Sequence, residues 1–96
     1  DAVWLMHRVE SNNITLYVRT DTGDNDTLLV EYMWVLTVED VKKAIEDWLE
    51  NEYGFKYFID YTINITSGIR NVKSGTSMVM LHFRDPESFV MLKLTL

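Results

Sequence analysis

A chain of 96 residues with a net charge of −6, 47% apolar residues and no cysteine has the composition of one acidic domain, residues 1–96, with enough apolar mass for a core. Two separate cores, a disordered chain, disulfides, thiol catalysis and Cys-ligated zinc are excluded. The negative charge opposes a phosphate backbone, and the Lys and Arg residues are scattered apart from Lys42-Lys43, so direct nucleic-acid binding is disfavoured.

Residues 3–9 come first. If they are extended, Val3, Leu5, His7 and Val9 share one face; a short helix capped by Asp1 is the alternative. Ser11-Asn12-Asn13 is a turn signal. Residues 14–19 then alternate, Ile14, Leu16 and Val18 against Thr15, Tyr17 and Arg19, as a half-buried strand does. Residues 21–26 form a polar loop, and residues 27–35 are rich in branched and aromatic side chains. The two strands read as an antiparallel hairpin.

A helix is predicted over Val38–Tyr53. Thr37 is a good cap, and Glu39 and Asp40 suit the positive end of the helix dipole. Val38, Val41, Ala44, Ile45, Trp48 and Leu49 fall on one stripe, and Gly54 can end the helix in a left-handed conformation. Residues 55–66 alternate with Tyr57, Ile59, Tyr61, Ile63 and Ile65 on one face, which predicts a long strand. A polar loop with Gly68 and Gly75 follows, then a strand over 77–84 with Val79, Leu81 and Phe83 inward. Asp85-Pro86-Glu87 is a compact helix start, so a short second helix is predicted over 86–92, with 93–96 returning as a short edge strand.

The fold class is therefore α+β. It has a mostly antiparallel sheet of about five strands in the order β-β-β-α-β-β-α, with the main helix across one face. The other face would carry Trp4, Met6, Tyr17, Leu29, Met33, Met78 and Met80, which is too apolar for free solvation. Either the last helix covers it or it meets a protein partner or a second copy.

Ile14-Thr15-Leu16-Tyr17-Val18-Arg19-Thr20, Thr22-Gly23, Thr27-Leu28-Leu29-Val30 and the helix opening Thr37-Val38-Glu39-Asp40-Val41-Lys42-Lys43-Ala44-Ile45 resemble the first half of a ubiquitin-like β-grasp domain over residues 14–54. The resemblance implies a hairpin followed by a helix lying diagonally on the sheet. The final residue is Leu96 and no Gly-Gly tail is present, so it does not imply a conjugated modifier. The segment Phe83-Arg84-Asp85-Pro86-Glu87-Ser88-Phe89-Val90-Met91-Leu92-Lys93-Leu94 is similar to the C-termini of small accessory proteins of tailed phages. It implies a viral context, not an activity.

No catalytic residue, metal ligand or cofactor is assigned. His7 and His82 with Arg84 and Asp85 would serve a small hydrolase or nuclease only if they converged; a strand histidine is the plainer reading. Asp21, Asp24, Asn25 and Asp26 lack the spacing of an EF-hand loop. Glu46, Asp47 and Glu50 make an acidic helix face that an inhibitor could use, although Lys42 and Lys43 interrupt it. Arg70 and Lys73 match no phosphate-binding fingerprint. Glycosylation sequons at Asn13, Asn25 and Asn64 are read as incidental. No apolar run reaches the roughly 18–20 residues that cross a bilayer, and a cytoplasmic location is expected. What remains is a non-catalytic interaction module with its surface at Trp4, Met6, Tyr17, Met33, Met78 and Met80.

Overall fold

A computed structural model of the chain describes residues 6–65, 70–71 and 75–96. The elements are β1 (Met6–Ser11), β2 (Ile14–Arg19), β3 (Thr27–Met33), α1 (Val38–Tyr53), β4 (Tyr61–Asn64), β5 (Arg70–Asn71), β6 (Thr76–Phe83) and α2 (Pro86–Thr95). The α+β class and the predicted order hold, with the two-residue β5 added on β6 at Thr76 and Ser77. The sheet runs β1-β2-β3-β6-β4, with β5 also on β6, and every strand pair is antiparallel.

Local chemistry explains the elements that position the sheet. Asn12 and Asn13 take φ of 53° and 62°, the left-handed values a tight two-residue hairpin requires and Asn tolerates. The Thr37 hydroxyl accepts the Asp40 N–H at 3.2 Å and opens α1. Gly54, at φ 73°, closes it: its N–H reaches the Glu50 carbonyl and the Phe55 N–H reaches that of Leu49. Val41, Ala44, Ile45, Trp48 and Leu49 are buried, while Val38, expected on the same stripe, is exposed in the first turn; full burial of a Val, Ile or Leu side chain contributes about 1.5–3 kcal/mol of transfer energy. The buried side chains lie over a row set by register, Val18 on β2, Val30 on β3 and Val79 on β6, with Leu16, Leu28 and Leu81 on the same face.

Asp85 caps α2 by accepting the Glu87 N–H, with Pro86 in the first turn. Phe89 and Leu92 are fully buried. The Phe89 ring lies 5.7 Å from Phe83, whose ring is also 5.8 Å from both Phe55 and Tyr61. Phe83 shares the face of Val79 and Leu81, so α2 packs on the same side of the sheet as α1.

Three expectations are corrected and one open alternative is decided. Residues 55–66 are not one strand: only Tyr61–Asn64 pairs with β6. Phe58 turns to φ 71°, and the Asp60 carboxylate accepts the Lys56 N–H at 2.7 Å, closing a turn before β4. Residues 93–96 do not return as a strand; α2 runs on to Thr95, because Leu92 and Leu96 continue its packed side and the Thr95 hydroxyl lies 2.7 Å from that of Tyr53. β3 ends at Met33, since Leu36 N–H bonds back to the Met33 carbonyl and turns the chain into α1. The second face of the sheet is not covered by α2. At the N-terminus, Met6–Ser11 is strand, not helix; Val3, Trp4, Leu5 and most of the 66–76 loop lie outside the described residues.

Phe89→Ala is expected to cost about 3–5 kcal/mol by loss of buried surface and cavity formation. Gly54→Ala meets no atom within 4 Å of the added carbon, so its cost should be the left-handed backbone alone, about 1–2 kcal/mol. Urea denaturation of both variants measures the two effects.

Candidate functional site: the open face of the sheet

Side chains alternate across a sheet, so register alone decides what shares the face opposite the helices. Two rows cross it. One runs Met6, Arg19, Leu29, Met80 and Asn64; the other runs Arg8, Tyr17, Glu31 and Met78. Thr27, His82 and Thr62 make a third short row, and Met33 pairs with Thr76 at the far end. Tyr17, Leu29, Met78 and Met80 are half-buried among their neighbours, while Met6 and Met33 are 43% and 46% exposed. The structure thus brings together Met6, Tyr17, Met33, Met78 and Met80, the residues picked out as partner-binding. Trp4 lies outside the described residues.

The face is apolar at its centre but not uniform. Glu31 stands between Tyr17 and Met78, and Arg19 stands between Met6 and Leu29, its Nε 3.5 Å from the Asp21 carboxylate. Thr27 is buried at one end; its hydroxyl lies 3.1 Å from Asp26 Oδ1 and 3.2 Å from His82 Nδ1. Polar groups of known position on an otherwise methionine-rich surface suit selective contact, because each must be matched when water leaves.

The candidate catalytic residues do not converge. His7 is in register with Val18, hence with Val30 and Val79, and so lies on the helix side. His82 stands three positions from Val79 on β6 and points to the opposite face. Asp85 is engaged as the α2 cap, and Arg84 donates its backbone N–H to the Asp60 carbonyl. Among the described residues no cluster of three or more His, Cys, Asp or Glu side chains could hold a metal ion. The acidic loop 21–26 is tied internally: Thr22 accepts the Asp24 N–H and donates to the Thr27 carbonyl.

The acidic face of α1 is partly engaged within the molecule. The Asp47 carboxylate accepts from the Asn12 amide at 2.6 Å and lies 3.7 Å from Lys43 Nζ. Lys42 sits over the Tyr57 ring. Glu46 and Glu50 lie on the side of α1 that faces β4. There burial, then the Glu46 and Glu50 carboxylates, then Tyr57 and Asp60, push the Tyr61 hydroxyl well above its ordinary value of 10. That hydroxyl is buried and has no hydrogen-bond partner among the described residues.

Sequence reasoning missed several exposed apolar groups, Trp34 and Val35 after β3 among them. Phe58 and Ile59, 61% and 66% exposed, project from the turn before β4; Ile59 was expected on one strand face with Tyr57 and Tyr61. Val90, Met91 and Leu94 are exposed on the outer side of α2. The one available signal was the apolar character of α2 all round. Compared with known proteins, the chain matches no family model, no curated protein and no solved structure. Among the described residues no helix is long and apolar enough to cross a membrane.

Tyr61→Phe removes a buried hydroxyl that has no partner among the described residues and is expected to stabilise the fold by about 1 kcal/mol. The folded wild type keeps a proton that the unfolded chain loses near pH 10, so its stability should fall as pH rises above 10. Denaturant titrations at pH 7 and above pH 10 should show that slope reduced in the variant.

Proposed function

We propose that the chain is a non-catalytic protein-interaction module that binds a protein partner, or a second copy of itself, through the sheet face opposite the helices. The observation that supports this most directly is the placement of both α1 and α2 on one side, which leaves Tyr17, Leu29, Met78 and Met80, flanked by Met6 and Met33, without a covering element among the described residues. Methionine and tyrosine are enriched in interface cores, and methionine adapts its shape to a partner. Glu31, at the centre of the face, favours a partner with a basic group placed among apolar side chains. The acidity of the chain and the phage-like character of residues 83–94 accord with a small accessory or inhibitor protein.

The test is capture from a lysate of the source organism on immobilised protein. A specific partner should stay bound at high salt, because apolar contact is not screened as exposed charge is. Met78→Lys/Met80→Lys should lose it while keeping the wild-type circular dichroism, and Glu46→Gln/Glu50→Gln should retain it. A partner lost from the helix variant, or released by salt from the wild type, would replace this reading with charge-based binding by α1.

A further inference from the structure

We propose that two copies of this chain join through β1, edge to edge and antiparallel, so that the two sheets become one continuous sheet with a single open face. This goes beyond binding through the face itself and uses a different surface.

β1 ends the strand order, and among the described residues no strand pairs with its outer edge. The hairpin dictates which backbone groups lie on that edge. Ser11 and Ile14 flank the two-residue turn, and such a flanking pair exchanges both hydrogen bonds. Bonded and non-bonded pairs then alternate, so Ser11, Val9 and His7 turn their N–H and C=O groups toward β2. Met6, Arg8 and Glu10 turn theirs outward.

A two-fold axis perpendicular to the sheet keeps each face on its own side and pairs residues symmetrically about a centre on β1. The charges choose the centre. Centring on Arg8 or on Glu10 opposes a charge to its own copy. Centring on Val9 places Arg8 opposite Glu10 of the second copy, and Glu10 opposite Arg8. Both are outward-turned residues, so each pair can exchange two backbone bonds, four in all. Val9 meets Val9, and His7 meets Ser11.

Arg8 and Glu10 are already bound to each other within one chain at 2.8 Å, and both are largely exposed on the open face. In the pair of chains they form a square of alternating charge. Edge strands are guarded against pairing by charged side chains, an inward-pointing charge, proline or a bulge, and a charge guards only where the copy opposes it with a like charge. The β1 edge carries one charge of each sign at a spacing that is self-complementary. The rows of the open face then run on across the axis, from Met78, Glu31, Tyr17 and Arg8 of one copy to Glu10 and Thr15 of the other.

Sedimentation velocity on the whole chain from micromolar to millimolar concentration tests the proposal. A concentration-dependent dimer is expected. Arg8→Glu and Glu10→Arg, each creating like-charge pairs at the axis, should each weaken it about tenfold. The double variant Arg8→Glu/Glu10→Arg should restore it, with circular dichroism confirming that all three fold. Met78→Lys/Met80→Lys should leave the dimer intact, which separates this interface from the open face. A monomer at every concentration, a dimer indifferent to the single charge reversals, or a dimer lost only with Met78 and Met80 would overturn the assignment.

Discussion

The side of the sheet on which Phe83 lies decides the architecture of this molecule. Its ring meets Phe55 from the exit of α1, Tyr61 from β4 and Phe89 from α2. Only Arg84 and Asp85 separate β6 from α2, so the helix has little freedom in where it turns. Burying Phe89 against Phe83 draws α2 to the side already occupied by α1. Aromatic pairs at these separations add about 0.5–1.5 kcal/mol beyond the burial of their area, and three meet at one ring. The arrangement satisfies the core and at the same time leaves the opposite face without a helix.

How far this was legible in the sequence depends on the range of the forces involved. The β1–β2 turn, the α1 cap and its Gly54 terminus are local and agree with the sequence reading, as does the buried stripe apart from Val38, which lies exposed in the first turn. Met6, Tyr17, Leu29, Met33, Met78 and Met80 share one face as their alternation predicts, because strand periodicity carries side-chain direction without any knowledge of neighbours. The end of β3 was misplaced by a local turn at Met33–Leu36, and the other failures came where a distant group contributes. Residues 55–60 alternate like a strand, yet Asp60 folds back on the Lys56 N–H, while its carbonyl accepts the N–H of Arg84 from beyond β6. Likewise, α2 continues past residue 92 because Leu96 reaches the core and Thr95 meets Tyr53, which lies far along the chain. The side that α2 would choose was left open, and rightly, since it rests on a ring contact between β6 and the helix.

The distribution of charge bears on what the face can do. Much of the acidity sits on α1 and in the loop 21–26, where Lys43 and Asn12 engage Asp47, Arg19 faces Asp21 and the Thr27 hydroxyl donates to Asp26. The open face instead carries both signs, Arg8, Arg19, Glu10 and Glu31, set among methionine and tyrosine. A surface built to imitate a polyanion would concentrate one sign. Mixed charge around an apolar centre is the pattern of contact between proteins, where charges choose the partner and apolar area holds it.

Face and edge are linked by the same strand. Arg8 belongs to the row of Tyr17 and Glu31 on the open face, while its backbone N–H and C=O lie on the outer edge of β1. Whatever pairs with that edge therefore extends the face. A single copy offers a surface five strands across that stops at a charged border. Pairing at Val9 moves that border into the middle and neutralises it, since each Arg8 then faces a Glu10. The partner of the open face would then meet a broader surface, apolar on both flanks, with alternating charges at its centre.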